Sequence, residues 1–187
     1  AFPGLGNLDG GNTLQEGRLA ELGNSIMALP SMQRGRALDE ARRNAVSIFE
    51  PEIRSQRVRI REDERGLVIS LASDGFFEPA TADINLEETR QVFEKLSTLL
   101  GSEQLEGRKF RIEGHTDSIP TDPNGPWESN WDLSVARALN VFRLLQDYGV
   151  DEEQFQVMGL ADTVPLFSND TAEGRAYNRR VDVIILT

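Results

Sequence analysis

The chain has 187 residues, a length that suits one globular domain with an extension. Of these residues, 39% are hydrophobic and 27% charged, which are ordinary proportions for a globular protein. Its formal net charge of -11 argues against a nucleic-acid-binding face and against attraction to anionic membranes. The absence of cysteine excludes disulfides, thiolate metal sites and a cysteine nucleophile. No apolar run approaches the roughly 20 residues of a membrane span. Because the numbering starts at Ala1 without Met, we expect a preceding targeting or membrane segment to be missing.

The first 56 residues are predicted to form a flexible lead-in and a helical extension. Residues 1–12 are rich in Gly and Asn, which is typical of a flexible segment. Apolar residues then recur at helical spacing over 13–29 and again over 38–49, and each pattern ends at a proline, Pro30 or Pro51. Because both helices precede a repeating strand and helix pattern, we expect them to lie outside the core.

The remaining residues, 57–187, are predicted to form an α+β domain. The strands are expected over 58–61, 67–72, 110–113, 155–159 and 180–186, and the helices over 86–100 and 130–148. Strand–helix–strand units with connections of this length favour parallel pairing. The sequence therefore predicts a mixed sheet with helices packed on one face. The last strand is apolar on both faces, which predicts a central position.

Two segments carry most of the polar chemistry. Asp117 lies in a Gly-His-Thr-Asp-Ser run just after a predicted strand, where ligand sites of such sheets tend to form. Asn130 and Arg137 are seven residues apart on one predicted helix, so they share a face. A carboxylate binds an ammonium group and a guanidinium binds a carboxylate, so Asp117 and Arg137 together suit a zwitterion such as the side-chain end of meso-diaminopimelate. An ordinary structural ion pair between these two residues is the alternative.

Three stretches, FRIEGHTDS, NWDLSVARA and EGRAYNRRVDVIIL, resemble the OmpA-like peptidoglycan-binding domain in both spacing and order. The resemblance covers about residues 57–187. More narrowly, IEGHTDSIP, SNWDLSVARA, SNDTAEGRAYNRRV and FFEPATADI are similar to the MotB subfamily, the stator subunits of flagellar motors. The helical extension is consistent with the linker that such stators carry.

The resemblance assigns a role to each matched position. It implies that Asp117 binds the ammonium of diaminopimelate and that Arg137 binds its carboxylate. The other implied site residues line or shape the pocket: Asn130 and Leu133 as lining, Thr116 and Ser118 in the adjoining loop, Arg179 as support or stem-peptide contact, and Glu78 where many members place an aspartate. The longer side chain of Glu78 leaves its role open.

The family implies non-catalytic binding of peptidoglycan that anchors a membrane motor stator to the cell wall. We expect a periplasmic part of an inner-membrane protein, a homodimer, a membrane stator partner reached through the missing segment, and no cofactor, metal or nucleic acid. The alternatives are an outer-membrane lipoprotein or porin-type tether, a stator of a non-flagellar machine, a wall hydrolase, and a protein–protein module. Glu113 lies within a predicted strand, which argues against a hydrolase pair with Asp117.

Three further residues are of a type that often has a function. His115 is the only histidine, and a single histidine without cysteine is weak evidence for a metal site. We predict that it is structural or orders the loop. The aromatic rings of Trp127 and Trp131 are able to stack on sugars, but we favour a role in pinning the loop to the start of the helix.

Overall fold

The computed structural model describes residues 35–187. The predicted lead-in over 1–12 and the predicted helix over 13–29 lie outside the described residues. The helices are α1 (35–48), α2 (Glu50–Arg54), α3 (Ser73–Phe76), α4 (Leu86–Leu100), α5 (Asn130–Asp147) and α6 (Ala172–Asn178). The strands are β1 (Val58–Asp63), β2 (Gly66–Ala72), β3 (Phe110–His115), β4 (Phe155–Gly159) and β5 (Arg180–Leu186). None of the helices within residues 35–187 combines the length and apolar character needed to cross a membrane.

The five strands form one mixed sheet in the order β1-β2-β5-β3-β4. β1 and β2 form an antiparallel hairpin, and β3 pairs in parallel with β4 across the α5 connection, as predicted. β5 lies between β2 and β3 and runs antiparallel to both, which confirms its predicted central position. β2 and β3 therefore run in the same direction without pairing, because β5 occupies the place between them.

One face of the sheet forms the hydrophobic core with the helices. Val181, Val183 and Ile185 of β5 are fully buried, as every second residue of a strand with one core face should be. Phe93 of α4 packs its ring against the edge of Phe76, with ring centroids 5.8 Å apart. Other core members come from β2, α4 and α5: Leu67, Ile69, Leu71, Val92, Leu96, Val141 and Leu145.

Helix α1 takes part in this core. Ala41 and Ala45 of α1, and Phe49 just after it, are 0% exposed and belong to the same cluster of buried residues as the sheet. Residues Ala37–Thr187 form one compact unit. Part of the helix predicted over 38–49 is thus core, contrary to our expectation for the extension. The predicted boundary at residue 57 stays a prediction, which a substitution at Phe49 can test.

Helices α3 and α6 were not predicted. They contain four and seven residues, too few turns for an apolar repeat to be recognised. Thr171 caps α6, because its side chain accepts a hydrogen bond from the backbone N–H of Gly174. Helix α5 begins as predicted, since the Ser129 side chain accepts a hydrogen bond from the N–H of Trp131.

Candidate functional site

A cavity of about 500 Å³ opens where β3 ends and α5 begins. Seven of the eight predicted site residues line it, namely Glu78, Thr116, Asp117, Asn130, Leu133, Arg137 and Arg179. Ser118 does not line the cavity and is exposed to solvent. The sequence prediction thus located the cavity, whereas binding of a ligand by these residues stays a prediction.

Glycine allows the helix to approach the strand ends closely enough to form this cavity. A side-chain carbon on Gly114 of β3 would overlap the carbonyl group of Ser134 in α5, and one on Gly159 of β4 would overlap the Ser134 hydroxyl. The first turns of α5 therefore lie directly against β3 and β4. This contact holds Asn130, Leu133 and Arg137, which share one helix face, over the ends of the strands.

Arg137 forms the buried wall of the cavity. Its side chain is only 5% exposed, its Nε donates to the carbonyl oxygen of Thr81 at 2.7 Å, and its guanidinium lies 5.1 Å from the ring centroid of Phe77. Burial lowers its pKa to about 10, against the opposing effect of Asp74 and Asp117. Among the described residues, none forms a salt bridge with Arg137, and its Nη1 and Nη2 have no hydrogen-bond acceptor.

Asp117 is already paired with a cation, but that cation is not Arg137. Its Oδ2 accepts a hydrogen bond from Arg179 Nη1 at 2.7 Å, and its Oδ1 accepts one from the N–H of Ile119 at 3.0 Å. The sequence left open an ordinary ion pair between Asp117 and Arg137. The structure instead pairs Asp117 with Arg179 and leaves Arg137 without a carboxylate partner among the described residues.

Arg179 connects Asp117 to a second carboxylate, Asp74, that the sequence analysis did not select. Arg179 Nε and Nη2 donate to Asp74 Oδ1 and Oδ2 at 3.0 and 2.8 Å, a bidentate contact. The hydrogen bonds to Asp74 are the main reason that the pKa of Arg179 is raised. No sequence motif includes Asp74. Its position just after β2, at the edge of the sheet where the loops of the cavity meet, is the signal by which it could have been selected.

A tight turn over residues 78–83 closes the cavity on one side, between the bridge partners Phe77 and Ile84. Three successive carbonyl oxygens of this turn accept hydrogen bonds from side chains of α5 and its preceding loop. Ala80 accepts from Trp127 Nε1 at 3.1 Å, Thr81 from Arg137 as described, and Ala82 from Asn140 Nδ2 at 2.7 Å.

Trp127 therefore pins a loop, as predicted, but it pins the loop to this turn rather than to the helix start. The side chain of Trp131 makes no hydrogen bond with the described residues, and the residue is 51% exposed.

Asn130 and Thr116 shape the loop that carries Asp117. Asn130 Nδ2 donates to the carbonyl oxygens of Asp117 and Ile119 at 3.3 and 3.0 Å. Thr116 Oγ1 donates to the carbonyl oxygen of Asp117 at 2.8 Å. These contacts fix the backbone at Asp117 and Ile119, which helps to set the direction of the Asp117 carboxylate.

Glu113, His115 and Asp182 form a second polar cluster, on the sheet face opposite the hydrophobic core. One potential ligand atom from each lies within 4.8 Å of the others, a spacing compatible with a metal ion. Arginines already occupy the carboxylates, because Asp182 Oδ2 accepts from Arg180 Nε at 3.1 Å and Arg65 pairs with Glu113. Burial would raise the pKa of Asp182, but Arg180 and neighbouring cations lower it overall. We interpret this cluster as an internal ionic network beneath the site.

Fold and cavity together define a domain of mixed α and β structure with a polar cavity at one edge of its sheet. Residues 76–179 match the model of the OmpA family. The chain belongs to the OmpA family, and this confirms the resemblance found in its motifs.

The relatives that the chain matches include motility proteins. Motility protein B of Bacillus subtilis (strain 168) is 39% identical over 122 residues, which is 65% of this chain and 45% of that protein. The chain spans about half the length of the curated relatives it matches.

Two solved structures resemble the described fold. The periplasmic domain of Helicobacter pylori MotB (residues 78-256) has a TM-score of 0.62 and 26% identity, over 70% of this chain and 82% of that one. The cell wall anchor of the T6SS from Pseudomonas aeruginosa has a TM-score of 0.66 and 30% identity, over 76% of this chain and 96% of that one.

Proposed function

We propose that this chain binds diaminopimelate-type peptidoglycan non-covalently and thereby anchors a membrane stator complex to the cell wall. The observation that carries this proposal is Arg137. An arginine that is only 5% exposed has lost most of its hydration, yet no salt bridge with the described residues compensates for that loss. A carboxylate bound from the cavity would supply the missing partner in bidentate geometry.

Asp117 completes the recognition of a zwitterion. Each carboxylate oxygen of Asp117 accepts one hydrogen bond within the protein, and each has a second acceptor position available for an ammonium group. Diaminopimelate presents a carboxylate and an ammonium on the same carbon. Lysine at the same position of a stem peptide has no such carboxylate, so it would leave Arg137 unpaired.

The proposed action is binding without chemistry. Asp74 and Asp117 both accept hydrogen bonds from Arg179, so these two carboxylates are held in ion pairs rather than placed as a free acid and base on either side of a scissile bond. A wall hydrolase is therefore the weaker reading of this cavity.

The stator part of the proposal is supported by the relatives named for motility and by the similarity to a periplasmic MotB domain. On this basis we propose a periplasmic domain of an inner-membrane protein. We also propose that it forms a homodimer and associates with a membrane stator partner.

Co-sedimentation with purified sacculi tests the proposal. The wild-type protein is expected to pellet with diaminopimelate-type sacculi and to stay soluble with lysine-type sacculi. Asp117→Asn and Arg137→Lys should stay soluble with both, whereas Arg143→Lys, an exposed arginine on the same helix, should behave as wild type. Wild-type protein that ignores both sacculi, or that releases soluble muropeptides, would overturn the proposal.

A second candidate function uses the same wall-binding site but anchors a different membrane complex. The similarity to the cell wall anchor of a type VI secretion system favours an anchor for a secretion complex. Deletion of the gene in its source organism separates the two. Loss of swimming with normal secretion favours the motor, and loss of secretion with normal swimming favours the secretion system.

A further inference from the structure

Arg179 is shared unequally between two carboxylates. Two of its nitrogens, Nε and Nη2, bind Asp74, and only Nη1 binds Asp117. Burial alone would favour the opposite division, with more of the hydrogen bonds from Arg179 going to Asp117. The Asp117 side chain is 11% exposed and the Asp74 side chain 57% exposed, so Asp117 has less access to water to compensate its charge.

The backbone holds this arrangement in place. Ala72 is the register partner of Arg180 at the end of the β2–β5 pairing. One residue further, the N–H of Ser73 donates to the carbonyl oxygen of Arg179 at 3.0 Å. Asp74 and Arg179 are therefore brought together by strand register, and their contact does not depend on two flexible surface side chains meeting by chance.

We infer that Asp74 is a positioning residue of the site, which holds the guanidinium of Arg179 so that Asp117 remains available to the ammonium group of the ligand. This inference rests on the proposed function. With Asp74 present, the planar fork of Arg179 is fixed on Asp74 and reaches Asp117 with one nitrogen. Without it, the fork is free to turn and bind Asp117 through two nitrogens, where it competes with the ligand.

Competition between Arg179 and the ligand for Asp117 predicts how a double substitution should behave. Asp74→Asn should weaken ligand binding although Asp74 is not required to touch the ligand. Replacing the competitor as well, in Asp74→Asn with Arg179→Gln, should restore part of the affinity.

Calorimetric titration of the full chain with the tripeptide L-Ala-γ-D-Glu-meso-diaminopimelate tests this. Asp74→Asn is expected to bind about fivefold more weakly than wild type, which corresponds to ~1 kcal/mol, the upper range for an exposed ion pair. The double variant is expected to bind within about twofold of Arg179→Gln alone. Asp147→Asn, a carboxylate exposed at the far end of α5, is the matched control and should bind as wild type.

Crystal structures of the unliganded wild-type and Asp74→Asn proteins separate this inference from the proposed function. In the variant, two nitrogens of Arg179 should bind Asp117. If Arg179 moves in this way while the wild type binds no tripeptide, the proposed ligand is wrong and the positioning role stands. If Arg179 keeps a single contact with Asp117, or if the double variant binds no better than Asp74→Asn, the positioning role is wrong.

Discussion

The indole nitrogen of Trp127 donates to the carbonyl oxygen of Ala80 at 3.1 Å and so joins the two loops that face each other across the cavity. Ala80 has a φ of 57°, a left-handed conformation that a residue with a side chain adopts only at some cost. The hydrogen bond therefore helps to hold this turn beside the cavity, together with the hydrogen bonds from Arg137 and Asn140.

Replacing the indole tests this connection. Trp127→Phe keeps a large aromatic ring but removes the N–H donor, so we expect the turn to loosen and tripeptide affinity to fall by about fivefold, equivalent to ~1 kcal/mol for one lost hydrogen bond. Trp131→Phe is the control, because its ring is half exposed and its indole pins no loop among the described residues. Isothermal titration that shows equal losses in both variants would contradict the role of Trp127.

Asn140 holds the same turn from outside the cavity. Its amide donates to the carbonyl oxygen of Ala82, and it does not line the cavity wall. Asn140→Ala should lower the free energy of unfolding by about 1 kcal/mol. It should also increase hydrogen exchange of the backbone amides over residues 78–83. Hydrogen-exchange mass spectrometry measures that increase, and unchanged exchange in this turn would show that Asn140 does not restrain it.

Gly114 sets the distance between β3 and α5. Gly114→Ala places a methyl group against the carbonyl of Ser134, so α5 must move away from the strand. We expect a loss of about 1–3 kcal/mol in the free energy of unfolding, together with weaker tripeptide binding because Arg137 moves with the helix. Gly35→Ala is the control, since a side-chain carbon there meets nothing within 4 Å. Urea denaturation and calorimetry measure the two effects.

The ionic network beneath the site should make the fold sensitive to acid. The pKa of Asp182 is lowered in the folded state, so its ionised form stabilises the fold above about pH 4, and this contribution is lost as the pH falls through the folded-state value. Asp182→Asn should lower the free energy of unfolding by about 3–5 kcal/mol at neutral pH, because Arg180 loses its buried partner.

Urea denaturation at a series of pH values gives the comparison. The stability of wild-type protein should fall more steeply below pH 4 than that of Asp182→Asn, with the two approaching each other in acid. Glu113, whose pKa is also lowered, keeps some acid sensitivity in the variant. Parallel curves for the two proteins would mean that Asp182 does not contribute.

Phe49 tests where the domain begins. Its ring is 0% exposed within the core formed with the sheet, although the sequence placed it before the predicted boundary at residue 57. Phe49→Ala in the full chain should lower the free energy of unfolding by about 3–5 kcal/mol, the cost of a large cavity in a packed core. Val46→Ala, three residues earlier in α1 but 44% exposed, should have little effect. A small effect at Phe49 would favour the boundary at residue 57.

The sequence alone determined the type and order of most elements and pointed to the residues that line the cavity. Apolar residues at every second position identified β5, and the helical spacing of Asn130 and Arg137 placed them on one face of α5. Such periodicity is a local property, because burying one face of a strand or helix constrains residues that are near one another in the sequence.

Only the tertiary structure decided which charges meet. Asp74, Asp117 and Arg179 are far apart in the chain, and nothing in their local patterns says that Arg179 binds both carboxylates while Arg137 has no salt bridge among the described residues. That outcome depends on the insertion of β5 between β2 and β3, which carries Arg179 to the ends of both strands. Pairing of distant strands is set by the packing of the whole core, so a single stretch of sequence does not contain it.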